Sequence, residues 1–196
     1  TQQKIISPDH IKGYNTSSNY TYGIWFYIDD WNYRYGESKI LLGSLDKEKN
    51  PSPSITFTPM QNNVNVAVTY YSKDKTSKHN VHNCTLENIP IQTWTHLVVS
   101  LYGRTLDVYL NGKLVKTCLL PGVAKIYTNS KIYLTPNGGF AGYTSNLYYK
   151  PVASNPSDVW ALYNTQHDGS LGTSVADYKV KLSLVKNNLE QKSLTL

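Results

Sequence analysis

The sequence predicts an all-β fold, a two-sheet antiparallel sandwich carrying one short helix. Apolar residues recur at every second position in several stretches, the alternation of a strand that buries one face. Two turn signals, Tyr102-Gly103-Arg104-Thr105 and Asn111-Gly112, fold residues 97–119 into three consecutive antiparallel strands. Pro, Gly and Asn then punctuate the rest of the chain often enough for about a dozen strands, the number a sandwich takes.

The elements follow in order. In Tyr22-Gly23-Ile24-Trp25-Phe26-Tyr27-Ile28 the even positions form one apolar face and Trp25 and Tyr27 lie on the other, so this strand is expected to be covered on both sides. Shorter strands are expected at 39–45 and 54–58, with Asn50-Pro51-Ser52-Pro53 as a loop between them. Val64, Val66, Val68 and Tyr70 alternate with Asn65, Ala67 and Thr69, a strand with one dry face. After the three hairpin strands, 130–135 and 142–150 are expected as strands. A helix is expected next, with Ser157 as N-cap, Asp158 in its first turn, and Val159, Trp160, Leu162 and Tyr163 on one apolar face. Residues 169–173 read as a linker. Tyr178, Val180, Leu182 and Leu184 alternate as a further strand, and Lys186-Asn187-Asn188 reads as a hairpin turn. The expected organisation is a sandwich over residues 1–172 and a β-hairpin tail over 173–196 that completes the sheet edge or docks a partner.

Composition excludes several classes. The 196 residues carry 19 Lys plus Arg against 13 Asp plus Glu, a net charge of +6, yet only Arg34 and Arg104 are Arg and the lysines are scattered. Lys73, Lys75 and Lys78 are the nearest thing to a cluster, too little for counterion-release binding, so no nucleic-acid partner is expected. Charged residues are only 16% of the chain and Tyr occurs 17 times, so polarity rests on Asn, Ser, Thr and Tyr, a surface suited to hydrogen bonding. The apolar run 97–101 is far short of the roughly 20 residues of a membrane helix, so no membrane span is expected. The chain begins at Thr1 without a signal-like stretch, as expected of a processed chain or a piece of a longer one.

Cys84 and Cys118 form no C-x-x-C pair, which excludes zinc-ribbon and thioredoxin-like arrangements and leaves a disulfide or two buried thiols. Cys118 ends the strand after Asn111-Gly112, and Cys84 precedes that hairpin's first neighbour by a short Pro-containing loop. The two are therefore expected to lie close together, as a disulfide. The sequons at Asn15, Asn19 and Asn83 fit an extracellular route.

The segment most suited to ligand contact is Asp29-Asp30-Trp31-Asn32-Tyr33-Arg34-Tyr35-Gly36-Glu37. Aromatic faces interleaved with Asp, Asn and Arg offer ring surfaces for sugar C–H groups and polar groups for hydroxyls. Asp30, Trp31, Tyr33, Arg34 and Tyr35 are the candidate ligand-binding residues, with Asn137 contributed by the Pro136-Asn137-Gly138-Gly139 loop. The competing expectation is that Trp31 or Tyr33 folds inward to cap the sandwich end. The Asn50–Pro53 loop is a further candidate for the same rim. Trp94 and Tyr109 read as packing residues, and His96 as a strand residue with a hydrogen-bond partner. His79, His82 and Cys84 are poorly spaced for zinc, because His79 points away from the other two on a strand. No cofactor is expected other than calcium, for which Asp29 and Asp30 are the candidate ligands. A hard cation needs six or more oxygens, and the rest are not identified by the sequence.

Three stretches together resemble the concanavalin A-like, laminin-G-like jelly roll. They are Tyr22 to Ile28 with Ile40-Leu41-Leu42; Trp94-Thr95-His96 running into Tyr109-Leu110-Asn111-Gly112-Lys113; and Gly138-Gly139-Phe140-Ala141-Gly142 with Leu147-Tyr148-Tyr149 and the short helix. The resemblance spans roughly residues 14 to 165 and implies a fold used by many lectins and adhesive modules. Glucanases of that fold carry Glu-x-Asp-x-x-Glu on one strand, and none of the four Glu here, Glu37, Glu48, Glu87 and Glu190, begins it. No Gly-x-Ser-x-Gly elbow is present either. The resemblance therefore implies a non-catalytic, carbohydrate-binding module whose partner is a glycan or surface glycoprotein. The alternative is a structural or protein-interaction domain. A narrower resemblance, carried by Asn88-Ile89-Pro90-Ile91-Gln92-Thr93-Trp94, by residues 114–122 and by the lysine-rich tail, is to laminin-G-like proteins of large DNA virus particles. It implies an extracellular or virion-surface setting, with other virion proteins as partners.

Overall fold

A computed structural model describes residues 3–11, 17–45, 48, 50–72, 80–127, 130–167, 182–186 and 189–194. In chain order the strands are β1 (Lys4–Ile6), β2 (Tyr20–Asp30), β3 (Lys39–Leu45), β4 (Pro51–Phe57), β5 (Val64–Tyr70), β6 (Asn80–Leu86), β7 (Trp94–Tyr102), β8 (Thr105–Leu110), β9 (Lys113–Leu119), β10 (Lys131–Leu134) and β11 (Ala141–Lys150). Helix α1 (Pro156–His167) follows, then β12 (Leu182–Lys186) and β13 (Leu189–Leu194). A six-stranded sheet, in the order β1-β10-β3-β4-β5-β6, faces a five-stranded sheet, β11-β2-β7-β8-β9. The fold is the expected antiparallel sandwich. β12 and β13 pair antiparallel as a separate two-stranded sheet, and the expected linker at 169–173, with Tyr178, Val180, Asn187 and Asn188, lies outside the described residues.

The alternation read from the sequence builds the core. Tyr20, Tyr22, Ile24, Phe26 and Ile28 of β2 pack with Leu97, Val99 and Leu101 of β7 against Ile55, Phe57, Val64, Val66 and Val68 of the opposite sheet. Each such side chain contributes about 1.5–3 kcal/mol through the apolar area it removes from water. Asn111 and Gly112 both take positive φ, as a two-residue hairpin requires, and their turn is pinned to β7. Asn111 N–H donates to His96 O at 2.8 Å, and His96 N–H donates to Asn111 Oδ1 at 2.9 Å.

The outer face of β2 is covered by α1, so this strand is buried on both sides over its middle, as expected. Trp25, His96 and Tyr163 stack on one another in a cluster of three, and Trp25 Nε1 donates to Gln166 Oε1 at 2.5 Å. Val159 of the helix packs with Val98, Tyr109 and Tyr148 as a second apolar cluster.

Several local expectations are corrected. The helix begins before Ser157: Asn155 is the cap, its Oδ1 accepting from Asp158 N–H at 2.9 Å while its own N–H donates to Asp158 Oδ2 at 3.1 Å, with Pro156 in the first turn. Pro51 and Pro53, expected in a loop, lie in β4. Leu45 pairs with Pro51 whereas Lys39 pairs with Phe57, so residues 50–53 are remote from the loop that follows β2. The His96 imidazole has neither the backbone nor the side-chain partner expected of it. It is fully buried with neither ring nitrogen hydrogen-bonded, and burial lowers its pKa to about 4.

Cys84 and Cys118 form a disulfide. It joins β6, at the edge of one sheet, to β9, at the edge of the other, and Lys116 Nζ reinforces the closure by donating to Thr85 O at 2.6 Å. Such a bond persists in oxidising surroundings, which fits an extracellular setting. No helix among the described residues is long and apolar enough to cross a membrane.

Candidate functional site

Four loops meet at the end of the sandwich where β2 finishes: 31–38, 58–63, 87–93 and 135–140. Backbone hydrogen bonds tie them together. Gly36 N–H donates to Pro59 O at 3.1 Å, Ile89 N–H to Asn62 O at 2.6 Å, and Gln92 N–H to Ile28 O at 2.8 Å. The 31–37 segment is itself a pair of turns, closed by Tyr35 N–H on Asn32 O and Glu37 N–H on Arg34 O. Asp30 Oδ1 caps the first turn by accepting from Asn32 N–H at 2.8 Å.

Arg34 is the keystone of this rim. Its Nε and Nη2 both donate to Glu37 Oε2, at 2.9 and 2.5 Å, and its Nη1 donates across to the carbonyl of Asn137. Tyr33 Oη adds a long contact of 3.4 Å to Gly138 O. The Asn137 loop, whose adjacency could not be read from the sequence, is thereby brought against the Tyr33 to Tyr35 turn. Gly138 allows the close approach, since a Cβ there would sit 3.1 Å from Arg34 Nη1. The rings of Tyr33 and Tyr35 are left 41% and 59% exposed.

Trp31 has a different position. It turns inward, edge-on to Phe57 with centroids 5.9 Å apart, and caps the sandwich end. Lys39 Nζ lies 5.0 Å from the Trp31 ring centroid, and the lysine is buried without a hydrogen-bond partner. Desolvation, then the neighbouring Arg34, lowers the Lys39 pKa, while Glu37 and Asp30 pull it back up.

Outside Trp31 runs an open groove of about 500 Å³ lined by Trp31, Met60, Gln61, Asn62, Glu87, Asn88 and Ile91 among others. Asn62 and Asn63 hold the groove wall: Asn62 Nδ2 donates to Ile89 O, and Asn63 Oδ1 accepts from Asn88 N–H. Gln61, Glu87 and Asn88 are exposed at its edge. Sequence reasoning passed over this wall, although the amide-rich Gln61-Asn62-Asn63 between two strands is its signal.

Asp30 is engaged in its loop turn, and among the described residues no three His, Cys, Asp or Glu side chains are grouped to hold a metal ion. His79 lies outside the described residues, while His82 sits in β6 opposite Val68.

A family model described as the concanavalin A-like lectin/glucanases superfamily matches residues 1–159. None of the curated proteins matches. Among solved structures, the botulinum neurotoxin serotype G binding domain aligns with a TM-score of 0.61 at 13% identity, over 83% of this chain and 40% of that one. The binding domain of botulinum neurotoxin DC aligns with a TM-score of 0.57 both in complex with SialylT, at 14% identity, and in complex with rat synaptotagmin II, at 12%. In each case 77% of this chain and 36% of that one are covered. The chain thus spans well under half the length of these structures, and at such identities the likeness is one of fold.

Proposed function

Because this chain belongs to the concanavalin A-like lectin/glucanases superfamily, we propose that it is a non-catalytic, lectin-like module that binds carbohydrate at the rim built around Arg34. The observation that carries this reading is the Arg34 clamp. One guanidinium joins two loops and leaves the rings of Tyr33 and Tyr35 exposed, in the same segment as Trp31, which lines a groove walled by amides and Glu87. Rings for stacking and amides for hydroxyls are what a shallow saccharide site uses, and a fixed rim spares the ordering cost of binding. The absence of Glu-x-Asp-x-x-Glu from the sequence supports a binding role over hydrolysis. The structural neighbour bound to SialylT makes sialylated glycans the first class to screen.

The setting follows from the disulfide and from the narrower resemblance. An extracellular surface suits Cys84–Cys118, and attachment at a virion surface rests on the 88–94 and 114–122 segments and the lysine-rich tail. Asp30, Trp31 and Asn137 support the rim, whereas Tyr33 and Tyr35 are the residues that touch ligand. A second reading, a protein-interaction or assembly domain, is favoured by β9, an edge strand that exposes Leu114, Val115 and Leu119.

A glycan-array screen, run with calcium and with chelator, separates these readings. Saturable binding by the unaltered chain that Tyr35→Ala loses, unchanged by chelator, is the expected result. Absence of binding to every glycan would transfer the function to the β9 edge.

A further inference from the structure

We infer that the outer face of the five-stranded sheet carries a second carbohydrate contact, a row of three aromatic rings that takes successive sugars of an extended oligosaccharide running off the rim. This inference rests on the lectin reading above and names the ligand as a chain of several sugars.

Tyr27 on β2 is the register partner of Trp94 on β7 and of Tyr143 on β11. The three rings therefore form a line across adjacent strands, with centroids 5.8 Å apart from Trp94 to Tyr27 and 6.2 Å from Tyr27 to Tyr143. Trp94 is 45% and Tyr143 63% exposed. The next row along the same face, Trp25 and His96, lies under Tyr163 of α1, so the helix covers one row and leaves its neighbour open. Leaving this much contiguous aromatic surface in water is unfavourable, and patches of this kind mark contact sites.

The geometry selects a sugar chain. Each ring is displaced from the next by about one ring width, and adjacent planes are tilted by 55° and 54°. Such a faceted strip meets the C–H faces of successive, mutually twisted pyranoses, while a flat crystalline surface would need coplanar rings. Phenol and indole also carry polar edges for hydroxyl contacts and lose little side-chain entropy on binding.

Two features join the row to the rim. Ala141, at the start of β11, is the register partner of Asp30, and Trp94 directly follows the 87–93 loop that lines the groove. Between Ala141 and Gly142 the register shifts by one residue, Asp29 of β2 being the extra one, and Gly142 takes a φ of +155° with its Cβ position 1.9 Å from the Tyr27 carbonyl oxygen. A bulge of this kind re-aims the following side chain, and here it brings Tyr143 beside Tyr27.

The test titrates the full chain with cello-, chito- and sialyllactose-terminated oligosaccharides of two to six sugars, following tryptophan fluorescence and calorimetry. The variants are Trp94→Ala with Tyr143→Ala, Tyr35→Ala at the rim, and Tyr102→Ala, an exposed aromatic at the far end of β7, as control. Thermal melts confirm that each is folded. The expected result is affinity that rises with chain length in the unaltered protein and in Tyr102→Ala. In the double variant the longest member should bind at least about tenfold more weakly, while the two-sugar member is unchanged. Tyr35→Ala should weaken every length. If the double variant keeps the full length dependence, the row is not a subsite and the rim reading stands alone. If no member binds the unaltered chain, both readings fall.

Discussion

Cys84 and Cys118 link the free edges of the two sheets, their Cα atoms 6.0 Å apart across the open side of the sandwich. The cross-link closes a loop of 34 residues, which in the chain-entropy account stabilises the fold by about 3–4 kcal/mol. We expect a Cys84→Ser, Cys118→Ser double variant to lose an amount of that order in urea denaturation. Reducing the unaltered protein should reproduce most of it, and a midpoint indifferent to reductant would show the edges held by packing alone.

The imidazole of His96 supplies a pH dependence. Trp25 stacks on it at 4.9 Å and Tyr163 at 6.1 Å, and burial holds its pKa at about 4. Because the folded pKa is below the ordinary 6.5, protonation favours the unfolded chain. The stabilising contribution is complete above pH 6.5 and is lost as pH falls toward 4. Between pH 7 and pH 4.5 it amounts to about 2–3 kcal/mol. His96→Phe keeps a ring in the stack and removes two unpartnered nitrogens, so it should flatten that part of the profile. The difference between the two proteins' urea midpoints across this range is the measurement.

How much of this was legible follows from what each residue depends on. Strands with strict alternation or an Asn-Gly turn are legible to within two or three residues, because period and turn chemistry are local: β5 matches the expected 64–70, while β2 extends the expected 22–28 by two residues at each end and β7 begins three residues before the expected 97–101. β3 is the segment 39–45 as expected, and the 97–119 hairpins fall where the turns put them. β4 begins three residues before the expected 54–58 and ends one residue before its end, since Pro51 and Pro53 argue against a strand on local grounds and only pairing to β3 overrides them. At the rim, the Tyr33 to Glu37 segment was identified by composition, but its contact with Asn137 is made by a guanidinium reaching between distant loops. The row Trp94, Tyr27 and Tyr143 needs cross-strand register, which no single stretch contains, and Trp94 was accordingly read as packing.

Trp31 and Tyr35 should separate stability from binding, although they share a loop. Trp31 packs on Phe57 and under Lys39, so Trp31→Ala should cost about 2 kcal/mol or more and lower the melting temperature. Tyr35 is exposed, so Tyr35→Ala should shift stability by no more than about 0.5 kcal/mol while removing glycan binding. Equal stability losses in parallel melts would mean that Tyr35 is a structural residue.

Arg34 should be irreplaceable by lysine. It uses three donor positions at once, two toward Glu37 and one toward Asn137 O, and a lysine ammonium cannot span that fork. The pair with Glu37 is a loop contact in which Arg34 is half-buried and Glu37 exposed, so Arg34→Lys and Arg34→Ala should each change global stability by no more than about 1 kcal/mol. Both should free the two loops from one another. Faster amide exchange at 32–37 and 137–139, with weaker glycan binding and an unchanged melt, is the expected pattern; intact binding in Arg34→Lys would show that charge alone suffices.

Gly142 gives the sharpest backbone test. Alanine there would place its Cβ 1.9 Å from the Tyr27 carbonyl oxygen and 2.7 Å from the Phe140 ring, at a φ of +155° that L side chains rarely adopt. The carbonyl is backbone and cannot turn aside, so β11 must move away from β2 over the bulge. That displacement disturbs both Phe140, which packs edge-on against Phe57 in the core, and Tyr143 in the outer aromatic row. Gly142→Ala should therefore destabilise by about 2 kcal/mol or more and weaken long oligosaccharides beyond what the stability loss explains. Gly36→Ala is the comparison, because its positive φ of +83° opens on space with nothing within 4 Å. It carries the conformational cost without the clash, so a Gly142→Ala loss no larger than the Gly36→Ala loss would mean that β11 yields at this bulge without strain.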